Sequence, residues 1–571
     1  MINYNNKIIL MIVCLFATPW SPAAQEKEED NSKVKLTGSI GFFYDYYNFS
    51  QNNYNSFRPR YPEHLWRINA QMNIHLGKHF SMPLSVNATN QDVLYTLPSV
   101  PEESALDYLQ NPANNISINP KYKWAQVFLG TQTPFYSKLS TGDIPIFGVG
   151  IELNPGKFLF SATTGKSQRA IEPNVALNIP GAYEQNIIAT RIGIGTIEGS
   201  KFTLNAIRIK DDVTSVSTQP IGLQPIEGIT FSPYAEFKVF KKIQISTETA
   251  ASVFTSDVLN TGTLEEDFVN SVKDIININA SSTADFAHNS RIDWKGEIFQ
   301  IGGELQYIGP GFLPVGYRFI ERDILDYKLN TALKILKNKL NLTGSFGIRT
   351  NNLSDTKLST ARRVITNANA FAQINDAFSL NINFSNFGFN NDTNLLNQRI
   401  ELVNNSLTIT PSYTIKTEKY LHLINANASY NSFEQFDVIN NAFAKAENTT
   451  YSLNYNLTFL QLPLNLGLQG VYLENELPTG DFNMLNYGLI ASYKLLNKKL
   501  TPSLGFNIAH IDKPGFTTDY RTDLNLRIGY KISKKLQCRV QYRYTNLTYG
   551  SSRQEAILNQ NRVQFSINQR F

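Results

Sequence analysis

Cysteine is nearly absent from this chain. The 571 residues hold only Cys14 and Cys538, and Cys14 sits in an N-terminal apolar stretch read below as removable, so the mature chain can form no internal disulfide. Charge is also scarce, at 17% of residues, and 52 basic against 47 acidic side chains leave only +5. That small excess is spread along the chain, which excludes nucleic acid as a partner on electrostatic grounds. After the N-terminus no run of about 18 apolar residues occurs, so transmembrane helices are excluded. A Gly-x-Ser-x-Gly elbow is missing, and the six histidines (His64, His75, His79, His288, His422 and His510) lack zinc-ligand spacing. No enzyme is expected, and no cofactor or metal.

What is present fits a chain with a large apolar exterior. Aromatic residues make up 12% while the mean hydropathy is only −0.25. A β-barrel in a membrane reconciles the two, because half of each strand can be polar and face inward. The N-terminus carries Lys7, the apolar run from Ile8 to Ala17, then Pro19, Pro22 and Ala23-Ala24. This is the layout of a secretory signal peptide over 1–24, followed by a short acidic segment over 25–35 that includes Glu26 and Asp30. The barrel is expected over 36–571, in the outer membrane.

Apolar alternation recurs in segments of about ten residues, near the length that crosses a membrane at a tilt. Trp66, Ile68, Ala70 and Met72 alternate with Arg67, Asn69 and Gln71; Phe378, Leu380 and Ile382 with Ser379 and Asn381; Cys538, Val540 and Tyr542 with Arg539, Gln541 and Arg543. Brief turns join them, several rich in lysine: Phe240 to Ile243, Leu336 to Leu340, Leu496 to Leu500 and Ile532 to Leu536, with others at Asn375 to Ala377, Lys416 to Lys419 and Leu460 to Pro463. From about 337 onward these turns return every ~36 to 43 residues, a hairpin plus a longer loop. Short turns on the periplasmic side and long loops outside are the asymmetry of outer-membrane barrels. Longer outer loops are expected at 94–120, 256–284, 309–322 and 431–447.

Extending the unit predicts an all-β, large antiparallel transmembrane barrel of about 24 strands, within roughly 22 to 26 and even in number. The first half counts less cleanly. Around Asn154-Pro155-Gly156, read as a type II turn, the up-and-down order slips by one strand within 122–150, which places one segment there inside the lumen. At the other end, Val563, Phe565, Ile567 and Phe571 alternate with Gln564, Ser566, Asn568 and Arg570. This reads as the strand that closes the barrel and is recognised during its assembly.

Several segments resemble a largely uncharacterised outer-membrane β-barrel family of Bacteroidota. They are Pro120 to Ala125 with Leu129-Gly130, Ser140 to Asp143, Gly150 to Phe158, Ala250 to Phe254 and Ala361 to Val364. The likeness covers roughly 120–390 and implies the barrel fold and the outer-membrane location; it carries over no site residues. More distantly, the chain is similar to large barrels of the same phylum that serve nutrient uptake and type IX protein secretion. A plug-bearing receptor is not expected, since Leu36 to Tyr47 already reads as the first strand.

Five arginines, Arg67, Arg349, Arg539, Arg543 and Arg570, fall on predicted lumen faces among Asn and Gln residues. They either tune the passage of anions or pair with acidic neighbours and hold the barrel in shape. Arg362-Arg363 is placed at the outer rim, where lipid-A phosphates are candidate ligands beside the plainer reading of ordinary rim arginines. The expected function is a channel or conduit with a polar, loop-constricted lumen. The alternative is a non-transporting surface or type IX-associated barrel that anchors a partner protein. Expected partners are outer-membrane lipid and lipopolysaccharide, the barrel-assembly machinery, and a secreted or surface protein.

Overall fold

The computed structural model describes residues 34–571 apart from 54–56, 91–113, 177, 241, 265–271, 318, 358, 393–400 and 438–441. The predicted signal peptide and most of the acidic segment therefore lie outside the described residues. The first sector of wall comprises β1 (Val34–Asn52), β2 (His64–Leu76), β3 (Phe80–Thr89), β4 (Asn115–Ile118), β5 (Lys121–Tyr122), β6 (Ala125–Gln132), β7 (Ile146–Leu153), β8 (Phe158–Gln168) and β9 (Glu184–Gly195). It continues through β10 (Lys201–Asp212), β11 (Glu227–Val239), β12 (Ile243–Thr255), β13 (Ser282–Lys295), β14 (Phe299–Ile308), β15 (Ile324–Ile335), β16 (Leu340–Asn351), β17 (Thr360–Gln373) and β18 (Phe378–Asp392). The last sector is β19 (Glu401–Lys416), β20 (Tyr420–Asp437), β21 (Ala442–Phe459), β22 (Leu464–Glu476), β23 (Phe482–Tyr493), β24 (Leu500–Asp512), β25 (Asp519–Lys531), β26 (Leu536–Thr548) and β27 (Ile557–Arg570).

Each strand pairs antiparallel with its neighbours in sequence, and β27 pairs with β1 from Ser39 opposite Arg570 to Asn52 opposite Ile557, which closes the sheet. β4 and β5 are two pieces of one wall strand. Both pair with β3 and with β6, and bonds from Asn119 N to Pro83 O (2.9 Å) and Val127 N to Pro120 O (2.9 Å) carry the ladder across the break. Pro120, which has no N–H to give, marks the interruption. The 27 strand segments thus make a wall of 26, at the top of the expected range. At ~4.8 Å spacing and ~40° tilt, a circular wall of this number measures roughly 50 Å across.

The expected slip within 122–150 does not occur. Residues 115–120, assigned in sequence to the outer loop 94–120, form a wall strand together with Lys121 and Tyr122, and counting it restores the alternation. The Asn154-Pro155-Gly156 turn is periplasmic as expected, but it is not type II. Phe158 N bonds to Pro155 O (3.2 Å), so Gly156 at φ 65° holds the first central position, the II′ arrangement that matches strand twist. The two turns spelled Leu-Lys-Asn-Lys and Leu-Asn-Lys-Lys share one backbone: Leu336, Lys337 and Asn338, like Leu496, Asn497 and Lys498, all have positive φ.

The other outer loops divide. Residues 309–323 form one as expected, and 256–281 another, with β13 starting at Ser282. Most of 431–447 is strand instead, because β20 and β21 each run for 18 residues, well beyond the ~10 residues that cross a bilayer. The short link 438–441 between them lies outside the described residues.

One face of the wall is apolar. Ile188, Ile192, Ile194, Phe202, Leu204 and Ile292 project outward and are exposed, as residues covered by lipid are when lipid is not present. The alternate residues point into the lumen. Near the extracellular rim, residues 272–281 fold down over the outside: Ile276 packs on Ile229 and Val253, and Asn277 N bonds to Glu227 Oε2 (3.2 Å). Glu227 also pairs with Arg208 at 2.6 Å. An ion pair of this kind belongs at headgroup level rather than in hydrocarbon, so the apolar band begins below this row.

Candidate functional site: the lumen wall

Two loops fold inward against the wall from β8 to β17. In the first, 133–145, Tyr136 OH lies 3.1 Å from Ser161 Oγ, and Arg191 stacks 5.1 Å from the Tyr136 ring. Its tip is held by one carboxylate, Glu248 of β12, which is 2% exposed. Glu248 accepts from Ser137 Oγ (2.7 Å), from Leu139 N (3.1 Å) and from Ser232 Oγ. Lys138 pairs with Glu304 of β14. Leu139 is fully buried with Ala250, Ala287, Ile308 and Phe312, a small apolar core on the inside of a barrel. Residues 133–145, between β6 and β7, are the lumenal segment that the sequence placed somewhere in 122–150.

The second loop, 309–323, lies across the first. Thr141 and Gly316 form a parallel bridge, and Tyr317 OH donates to Ser137 O (2.9 Å). Leu313 N bonds to Ser252 Oγ (3.0 Å) and Val315 N to Thr230 Oγ1 (3.3 Å). Arg349 anchors its far end, reaching Glu321 at 2.8 Å and Asp326 at 2.6 Å. Arg363 also meets Glu321, at 3.0 Å, and lies over Phe389. Of the rim pair, then, Arg363 turns into the lumen and holds a loop.

The wall across the barrel carries no such cover from these loops. On β1, β2 and β24 to β27, near the periplasmic end, a cavity of about 720 Å³ is lined by Arg67, Lys499, Arg527, Lys531, Arg539 and Arg570, with Ser39, Asn69, Ser503 and Asn568 between them. Its lining includes no Asp or Glu. All six cations are exposed to the lumen, and none has a carboxylate partner among the described residues. Nearer the extracellular end acids join the same sector: Arg521 pairs with Asp523 (2.7 Å), Lys513 with Asp519 (2.6 Å) and Arg562 with Asp45 (2.5 Å). A charge gradient therefore runs down this wall.

Three of the five predicted lumen arginines, Arg67, Arg539 and Arg570, come together in this cavity. Arg543 faces the lumen higher up, opposite Arg562, while Arg349 belongs to the loop anchor. Sequence reasoning did not single out Lys499, Arg527 and Lys531. Two of them end or begin the lysine-rich turns, and Arg527 alternates with Leu526 and Ile528, so the signal was present in the same period of two. Between the sectors the lumen is neutral and amide-rich, as where Asn369 Nδ2 donates to Asn381 Oδ1 (2.7 Å) and Asn367 to Ser345 Oγ (3.2 Å).

On the outer face, His288 Nε2 lies 2.7 Å from Ser290 Oγ, and Nδ1 lies 2.9 Å from Thr249 Oγ1. Thr247 Oγ1 is 3.0 Å from Ser290 Oγ. The spacing is that of a nucleophile and base, but no carboxylate joins it. Counting from the loop-covered row at Ala284 down to Trp294, the set sits ~10 Å from either edge of the apolar band, far from lipid ester groups. Its four polar side chains satisfy one another, as groups facing hydrocarbon must. His75 and His79 flank the turn after β2, where His79 meets Tyr122 edge-on; no metal-binding group of three or more His, Cys, Asp or Glu occurs among the described residues.

No family model matches the chain, and no curated protein does. Among solved structures it is similar to OccAB3 of Acinetobacter baumannii, at 11% identity and a TM-score of 0.31, covering 65% of this chain and 99% of that one. OpdK of Pseudomonas aeruginosa shares 8% identity at a TM-score of 0.30, over 61% and 94%. A BenF-like porin from Pseudomonas fluorescens Pf-5 shares 10% at 0.30, over 66% and 100%. The architecture rests on the strand pairing itself: a closed, antiparallel 26-stranded β-barrel of the outer-membrane type.

Proposed function

We propose that this barrel is a passive outer-membrane channel whose lumen is narrowed on one side by two docked loops. The observation that carries the reading is the uneven lining of the lumen. Loops 133–145 and 309–323 are bonded and packed against β8 to β17, whereas the wall from β24 through β27 to β2 presents solvated polar and cationic side chains to open space. In this setting the signal peptide exports the chain, the barrel-assembly machinery inserts it, and outer-membrane lipid and lipopolysaccharide cover the apolar band. Solute movement down a gradient through a hydrated lumen calls for no catalytic group.

Purified protein in planar bilayers tests this. Conductance steps of stable size are expected; a correctly folded, heat-modifiable barrel that stays electrically silent overturns the channel. Such silence would favour the surface-partner reading, for which the 16 to 18 residue strands β19 to β21 speak, since hairpins of that length stand above the membrane.

A further inference from the structure

We infer that the cavity at the periplasmic end of the lumen, lined by Arg67, Lys499, Arg527, Lys531, Arg539 and Arg570, is a binding site for a small solute carrying several negative charges, as phosphate or carboxylate groups. The inference deepens the channel reading and rests on it for the route by which the solute arrives.

Six cations with no acid in the lining are costly to assemble in a wall that elsewhere pairs most of its charges. Like charges repel, and neighbouring sectors show the chain's usual remedy: Arg521 with Asp523, Arg562 with Asp45, Lys513 with Asp519. Here the remedy is absent. The six come from strands remote in sequence, β2 on one side and β24 to β27 on the other, and β1 between them contributes Ser39 and Gly41 instead of an acid. Closing the barrel at β1–β27 is what brings Arg67 to Arg539 and Arg570.

The donor set suits oxyanions carried on a polar frame. Four of the six are arginines, whose planar forks match phosphate and carboxylate in a bidentate manner, and the lysines add point charges at the two turns. Ser39, Asn69, Thr501, Ser503, Ser566 and Asn568 interleave with them, offering hydroxyl and amide groups beside the apolar Phe42, Phe43 and Ile567 of the same lining. A volume of about 720 Å³ falls in the range of small-molecule sites. Low-dielectric walls focus the field of such a cluster and raise local anion concentration. At ionic strengths near 0.1 M the screening length is ~10 Å, which confines the attraction to this end of the lumen.

The test uses the full-length barrel. Inorganic pyrophosphate, citrate and neutral maltotriose are added to the periplasmic side of single channels, and the concentration that halves the open current is read for each. Pyrophosphate or citrate is expected to act and maltotriose not; which of the two acts at lower concentration distinguishes phosphate from carboxylate. The double variant Arg527→Gln, Arg539→Gln should raise the half-blocking concentration about tenfold or more, since two charge-assisted contacts are lost, while the step conductance persists. Arg521→Gln, already paired, should change it by less than about twofold. Equal block in wild type and the double variant, or no preference for anions over maltotriose, overturns the site while leaving the channel intact. If the barrel proves silent, calorimetric titration of pyrophosphate and citrate into the same purified protein decides the site alone: heat that vanishes in the double variant supports it, and no heat from wild type refutes it.

Discussion

Glu248 fixes the tip of the loop that narrows the lumen. Its carboxylate accepts from Ser137, Leu139 N and Ser232 together, so removing it leaves three donors without their acceptor. Glu248→Ala should loosen loop 133–145 at a cost of about 1–3 kcal/mol per orphaned buried group. The expected signs are a higher, noisier single-channel conductance and faster proteolytic cleavage within 133–145, with the barrel still heat-modifiable. Ser290 makes the opposite point. It has a hydrogen-bonded histidine at 2.7 Å, yet it faces hydrocarbon at mid-height with a threonine where a carboxylate would orient the imidazole. A fluorophosphonate probe should therefore leave Ser290 unlabelled in folded protein; labelling lost in Ser290→Ala would point to a hydrolase instead.

At the scale of elements, the hairpin around the split strand is the most constrained part of the wall. Gly130 in β6 has φ 94°, and a Cβ there would meet Ile116 O at 2.1 Å, backbone that cannot give way without moving β4. Gly130→Ala should cost about 1–3 kcal/mol through strain, seen as a lower temperature of the heat-modifiable transition and faster amide exchange in 115–132. This hairpin is also where the sequence was least legible. The period of two is plain wherever a strand runs ten or more residues between short turns, as in β16 to β27, and there the turns and faces match the alternation. Asn115 to Tyr122 offers only four strand residues, the Asn119-Pro120 break, and two more, too short for alternation to register, so the strand was absorbed into a loop. The inward loops were legible only as a failure of that pattern. What binds them lies on other strands, 111 residues from Ser137 for Glu248, 61 from Leu313 for Ser252 and 28 from Glu321 for Arg349, and looks locally like any lumen-facing residue. For the cationic cavity the face of each residue could be read, but its gathering could not, because it depends on which strands are neighbours across the closure.

For the whole molecule, closure is concentrated in one seam. Asp45, 3% exposed at its side chain, takes Arg562 at 2.5 Å across β1 and β27, and Tyr61 lies 3.9 Å beneath the guanidinium. Asp45→Ala strands a charge that is only 20% exposed; breaking such a pair costs roughly 2–4 kcal/mol after allowing for its partial solvation. The heat-modifiable transition should fall by several degrees, while Arg521→Ala, whose pair lies within one strand, should leave it nearly unchanged. The seam has a further consequence, for time rather than stability. Every other strand pairing joins sequence neighbours and can form as the chain arrives, like teeth of a zip fastened in order. Asp45 and Arg562 are separated by 517 positions, so β1 must keep its outer edge unpaired until β27 appears. Through that interval the chain is an open sheet with two sticky margins, and its slowest step should be the docking of its two ends.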